Sequence, residues 1–219
     1  MSGRPRPGAA PASSLLAVQS ACRSCRACAE AGHPIESLSV FEGRPGQRAY
    51  LLGQAPGIVE GDERRPWRGR AGKQLRRWLG LDEDAFYATF YCASVTRCYP
   101  GRLPGGRGDR APSPPERALC ARWRDDELAL LRPALVVPVG GLAIEALLRP
   151  VLGARAARLT DVIGQAFAPA EGPAAGALVV PLPHPSGASS WPHQPGNRER
   201  LELALARIGE ELGQLGPGV

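Results

Sequence analysis

Arg48-Ala-Tyr-Leu-Leu-Gly53-Gln-Ala-Pro-Gly57 decides the fold. A short apolar run that stops at glycine reads as a buried strand entering a loop. Three further runs have the same character: the aromatic and β-branched Tyr87–Val95, then Leu135-Val-Val-Pro-Val-Gly140, then Ala177-Leu-Val-Val-Pro181. Helical stretches separate them at Ala71–Leu79, Pro115–Leu131 and Leu142–Leu148. Leu15–Ala29 precedes the first strand, and the amphipathic Arg198–Leu212 follows the last. Strands joined through helices are parallel and covered on both sides. The expected fold is therefore α/β, a three-layer α/β/α arrangement around a mostly parallel four-stranded central sheet. Residues 15–219 are expected to form one domain, and 1–14, rich in Pro, Gly, Ala and Ser, a disordered tail. Function in such sheets sits beyond the carboxyl ends of the strands. The loops at Gly53–Gly57, around Cys98 and at His184-Pro-Ser186 should therefore converge.

The composition narrows the setting. The chain has 219 residues, 27 Lys+Arg against 21 Asp+Glu, a net charge of +6 and 43% hydrophobic residues. That hydrophobic share supports a real core and excludes wholesale disorder. No apolar run approaches the roughly 20 residues of a membrane span, and Leu15-Leu16-Ala17-Val18 is too short for a signal-peptide core. An intracellular, cytoplasmic protein without a membrane partner is expected, and no segment signals an obligate protein partner. Six cysteines in such a compartment point to metal or redox use rather than to disulfides. Lys73 is the only lysine, so the basic excess is arginine. Codon bias accounts for it as well as a phosphate-bearing partner does, because Ala, Gly and Pro are also abundant.

Three segments carry chemistry in order: Gly53-Gln-Ala-Pro-Gly57, Arg65-Pro-Trp-Arg-Gly69 and His184-Pro-Ser186. Together they resemble the uracil-DNA glycosylase superfamily, over roughly Cys25 to Ile208. The cysteines bring the chain nearest to the iron–sulfur branch, family four. Cys25-Arg-Ala-Cys28 precedes the first strand, Cys98 follows the second, and Cys120 lies in Arg110-Ala-Pro-Ser-Pro-Pro-Glu116-Arg-Ala-Leu-Cys120. Four thiolates from three segments suit a four-iron four-sulfur cluster. A tetrahedral zinc site, or buried structural cysteines, remain alternatives. Cys22 has the same spacing to Cys25 and competes for a ligand place, whereas Cys92, in mid-strand, reads as core.

The resemblance implies hydrolysis of the N-glycosidic bond of uracil, or another deaminated base, in DNA. It places His184 beside uracil O2, where a neutral imidazole N–H stabilises the leaving anion. Ser186 supports the flipped nucleotide. The loop through Gln54, Ala55 and Gly57 supplies backbone N–H groups and a water site, its glycines permitting close approach and positive φ. Trp67 stacks on the base, unless it is an ordinary core tryptophan. Arg68 and Arg70, from a basic run that spans Arg64 to Arg77, meet phosphates. Three departures stand out. Gln54-Ala55 carries neither family carboxylate, which leaves water to Gln54, to backbone, or to Glu60 or Asp62. Ser94 replaces the asparagine that reads the base. Ala188 replaces the usual wedge, with Trp191 as a substitute. The basic loop Arg102–Arg110 contains no histidine, so covalent capture of DNA is not expected. The rival reading is a damaged-DNA-binding protein of the same fold with weak catalysis.

Overall fold

A computed structural model describes residues 14–106, 108–153, 158–186 and 191–216, without the side chain of His193. In chain order the elements are α1 (Leu15–Arg23), α2 (Ala27–Glu30), β1 (Ala49–Gly53), α3 (Ile58–Glu63), α4 (Arg70–Leu79), α5 (Glu83–Thr89), β2 (Phe90–Ser94), α6 (Pro114–Leu131), β3 (Leu135–Pro138), α7 (Gly141–Leu152), α8 (Leu159–Val162), β4 (Leu178–Val179), a 3-10 turn at Trp191–His193, and α9 (Asn197–Leu215). The four strands form one sheet in the order β2-β1-β3-β4, every neighbouring pair parallel. Every residue of β1, β2 and β3 is buried. That burial is why these runs are continuously apolar instead of alternating.

Helices flank the sheet in the three-layer α/β/α arrangement that the alternation implies. α5 packs on β2, α7 and α9 pack on β3, α1 and α2 pack against α6, and α4 meets α9. No helix among the described residues is long and apolar enough to cross a membrane.

Local chemistry sets the element ends. Ser113 caps α6 by a capping box with Glu116, and prolines open its first turn, where a missing N–H costs little. Asp82 Oδ1 accepts from the Ala85 N–H at 2.8 Å and starts a helix that runs into the stretch expected to be strand. Tyr87, Ala88 and Thr89 therefore belong to α5, and β2 begins only at Phe90. Tyr87, the aromatic residue at the start of that stretch, is buried all the same, as is Phe86 before it. β4 is shorter than its apolar run. Pro181 and Pro183 lack ladder donors, so pairing continues only as a bridge between Val139 and Leu182. Ser14 Oγ accepts from the Ala17 N–H and caps α1. The expected helix 15–29 breaks at Ser24 into α1 and α2. Residues 1–13 lie outside the described residues.

One polar group lies deep in this core. Arg97 and Glu127 are 1% and 0% exposed. Arg97 Nη2 donates to Glu127 Oε2 at 2.5 Å, and the Tyr50 hydroxyl donates to the same oxygen at 2.6 Å. Arg97 Nη1 also donates to the carbonyl of Ser94, the last residue of β2. The guanidinium thereby ties the end of that strand to α6.

The sheet order has a direct consequence for function. The chain leaves β1 for β2 on one side and later returns to β3 on the other, so strand order reverses at β1. A crevice is expected beyond the carboxyl end of such a strand. Gly53 pairs with Ser94 across β1 and β2, and Leu52 with Pro138 across β1 and β3. The Gly140 N–H donates to the Leu182 carbonyl at 2.9 Å, which brings the segment leading to His184 to the same end.

Candidate active site

A cavity of about 660 Å³ opens at that end of the sheet. Its walls come from Gly53 to Glu60, Pro66, Trp67, Gly69, Ser94, His184 and Ser186, with Arg70 and Asp109 also on its lining. The structure thus brings together Gln54, Ala55, Gly57, Trp67, Arg70, Ser94, His184 and Ser186 from three distant segments. The connection that follows β2 reaches this cavity at Ser94 and Asp109, whereas Cys98 itself faces a second, smaller cavity.

His184 is half-buried, and its Nδ1 accepts from the Ser186 backbone N–H at 3.2 Å. A backbone N–H can only donate, so Nδ1 carries no proton and a neutral ring must carry its hydrogen on Nε2. Burial holds the imidazole below its ordinary pKa, against the pull of the Glu60 carboxylate, and favours that neutral form. Gly140, at φ 88°, lies under the ring, and a Cβ there would sit 3.4 Å from the Cβ of His184. Ser186 therefore contributes through its backbone, by setting the tautomer of the histidine.

Trp67 is 8% exposed and adopts φ 61°, a left-handed conformation that a bulky side chain rarely takes. Its surroundings hold it there. Arg76 Nη1 donates to the Trp67 carbonyl at 3.0 Å. A Cβ on Gly72 would stand 1.7 Å from that carbonyl oxygen, and a Cβ on Gly53 would stand 2.9 Å from Cζ2 of the indole. Gly72→Ala is accordingly expected to displace the Trp67 backbone and to lower stability by about 1–3 kcal/mol, the usual scale for overpacking. Urea denaturation reads this directly, and an unchanged midpoint would show that the Trp67 backbone has room to move.

Glu60 joins the two loops. Its Oε2 accepts from the Gly57 N–H at 3.1 Å and its Oε1 from the Gly69 N–H at 2.7 Å. Gly57 has φ −85°, so left-handed freedom is not what requires glycine there. Close approach requires it, since a Cβ would lie 2.8 Å from Glu60 Oε2 and 3.0 Å from Asp109 Oδ2. Gly53 likewise serves by close approach to Trp67, and its φ is not positive. Asp62, one of the acids considered for water, is exposed and does not line the cavity.

Of the basic run, Arg70 is exposed on the cavity lining and makes no ion pair among the described residues. Arg68 does not line the cavity. It pairs with Glu63 at 2.5 Å and with Glu83. Glu83 also meets Arg65 at 3.2 Å and Arg76 at 3.3 Å. One carboxylate thus offsets charge that the sequence left free for phosphates. Trp191 is also not at the cavity. Its indole nitrogen is buried and its body packs against the core, which does not suit a wedge that enters DNA. Ala188 lies outside the described residues.

Cys25, Cys28, Cys98 and Cys120 line the second cavity together, while Cys22 and Cys92 are fully buried elsewhere in the core. The Arg97 backbone N–H donates to Cys120 Sγ at 3.3 Å, the kind of bond that suits a thiolate. Burial pushes the thiol of Cys28 up to about 11 and that of Cys98 up to about 12, and also raises Cys120. A positive centre is what would turn Cys28, Cys98 and Cys120 into thiolates at neutral pH. No three Cys, His, Asp or Glu groups among the described residues converge on a single ion position.

The model of the uracil DNA glycosylase superfamily matches residues 40–207. The chain is 27% identical over 173 residues to the type-4 uracil-DNA glycosylase of Sulfurisphaera tokodaii, covering 77% of this chain and 72% of that protein. It is 28% identical over 111 residues to that of Thermotoga maritima, covering 49% and 53% of the two chains. The protein of the same name from Pyrobaculum aerophilum is 28% identical over 129 residues, covering 58% of this chain and 60% of its own length.

Proposed function

The chain belongs to the uracil DNA glycosylase superfamily, and from that premise we propose that it is a monofunctional DNA glycosylase hydrolysing the N-glycosidic bond of uracil, or of another deaminated base, in DNA. The observation that carries this reading is the state of His184: a neutral ring, its Nδ1 occupied by the Ser186 N–H, lining a cavity at the switch point of the sheet.

The chemistry follows from the bond that breaks. As C1′–N1 lengthens, charge accumulates on the base oxygens and the sugar becomes cationic. An N–H donor already aimed at the base oxygen stabilises charge that appears only in the transition state. His184 Nε2–H is that donor. A cationic imidazole would also attract the anion, but burial disfavours it. Trp67, fixed in its backbone, offers an aromatic surface to a base taken out of the duplex. Ser94 has one hydroxyl where the resemblance expects a carboxamide, so uracil is read through fewer paired contacts and discrimination against other bases is weaker. Arg70, exposed on the lining, holds a phosphate beside the extruded nucleotide.

The four cysteines at the second cavity fit an iron–sulfur cluster. They line one cavity together, and four thiols drawn from three segments are the donor set that such a cluster needs. A bound cluster would supply cross-linking, joining α2, the segment after β2 and α6 behind the Arg97–Glu127 pair.

The experiment uses purified full-length protein on oligonucleotides that contain uracil, hypoxanthine or xanthine. Alkali then cleaves any abasic product, and iron and zinc are measured on the same preparation. Abasic product from uracil DNA and stoichiometric iron are expected. No product from any of the three substrates overturns the catalytic reading, and stoichiometric zinc in a colourless protein overturns the cluster.

A further inference from the structure

We propose that Asp109 is the carboxylate that holds and deprotonates the attacking water in this cavity. The inference rests on the glycosylase reading and adds to it a residue that the Gly53–Gly57 loop does not provide.

Water must reach C1′ from the side opposite the departing base, and a carboxylate there favours both the water and the cationic sugar. Ala55 leaves the loop without one. Two carboxylates line the cavity among the described residues, Glu60 and Asp109. Both oxygens of Glu60 already accept backbone N–H bonds, from Gly57 and Gly69, and releasing either would separate the cavity walls. Asp109 is built differently. Its Oδ1 accepts from the Tyr99 hydroxyl at 2.8 Å. No donor among the described residues reaches Oδ2, which lies 3.0 Å from the position a Gly57 side chain would occupy. One oxygen is therefore anchored, and the other stands over the loop and open to water.

The anchor is firm. Tyr99 is 2% exposed, and its backbone N–H donates to Ser37 Oγ at 2.8 Å. Asp109 itself bridges to Arg102 across an antiparallel turn, and the Arg110 N–H donates to the Gly101 carbonyl at 3.0 Å. The Arg110 side chain clamps Glu116 with bonds of 2.8 and 2.6 Å. A side chain fixed on both sides in this way suits a residue that must aim one oxygen. In the step itself, the water oxygen bonds to C1′ and one water proton passes to Asp109 Oδ2. The electron pair of the C1′–N bond leaves with the base, whose negative charge the His184 Nε2–H stabilises as a hydrogen-bond donor. Asp109 then returns its proton to solvent.

The test compares wild type, Asp109→Asn, Asp109→Ala and Tyr99→Phe in single-turnover base release, with binding to abasic-site DNA measured in parallel. Asp109→Asn is expected to slow release by about 100-fold, near the lower end for general base catalysis, and to change binding less than threefold. Added formate is expected to restore part of the Asp109→Ala rate, which repair of a merely structural defect would not do. Tyr99→Phe should fall between wild type and Asp109→Asn. An active wild type whose Asp109→Asn variant keeps its rate overturns this assignment alone. A wild type that releases no base overturns the glycosylase reading and this assignment with it.

Discussion

His184→Ala is expected to slow base release by about 100- to 1,000-fold in single turnover, the usual scale for removing one donor from a site where transition-state charge develops. Binding of uracil DNA should change far less, because the donor meets full charge only as the bond breaks. The Nδ1 lone pair accepts from Ser186, so the variant removes a ring contact without breaking into the sheet. The pH dependence has a definite sign. Burial places the folded-state pKa below the ordinary imidazole value, and so the neutral donor should persist as pH falls through that ordinary value. The same shift links to stability. An unfolded histidine takes up a proton before the folded one does. The contribution of this group is therefore complete above the ordinary value and is lost as pH falls towards the lower, folded one. A rate that drops at the ordinary imidazole pKa would show that His184 is not buried in the working enzyme.

The second large effect is on folding. Arg97→Met is expected to cost about 3–5 kcal/mol, because it leaves the carboxylate of Glu127 buried without its cation. Glu127 is 0% exposed, and the Tyr50 hydroxyl at 2.6 Å cannot neutralise it. The double variant Arg97→Met/Glu127→Leu should recover much of that loss, since apolar replacement of a whole buried pair is often near neutral. Urea denaturation of the single and double variants measures both. A loss below about 1 kcal/mol in the single variant would mean that water reaches Glu127. The double variant also separates folding from function. Arg97 Nη1 holds the Ser94 carbonyl, so a stable double variant with slowed base release would show that the pair also aligns the cavity wall.

The parts of the site that were legible in the chain are those whose chemistry is local. Gly53-Gln-Ala-Pro-Gly57 begins at the last of five buried residues, Ala49–Gly53, and a glycine-bounded loop at a strand end is readable without knowing what it faces. His184, framed by Pro183 and Pro185, is equally local. Other features were not legible because partners distant in sequence decide them. Arg68 looked free until Glu63 and Glu83 were placed beside it. Trp191 looked like an exposed wedge until its indole nitrogen turned inward. Tyr87 looked like strand until the cap at Asp82 carried a helix through it. Asp109 was hidden by its neighbours: in a loop that carries Arg102 and Arg110, a single acid reads as charge balance.

The sequence by itself determined the alternation of strands and helices, the three loop motifs, and which four cysteines stand in the family's order. Those features depend on short-range periodicity and on glycine and proline, whose backbone preferences act at their own positions. Only the tertiary structure decided which carboxylates are spent and which are open. Glu60 is taken up by two backbone N–H groups and Glu83 meets three arginines, while Asp109 keeps one oxygen free over Gly57. Charge and hydrogen-bond capacity are shared among groups that meet only when the chain closes, so the availability of any one of them is a property of the fold and not of its own segment.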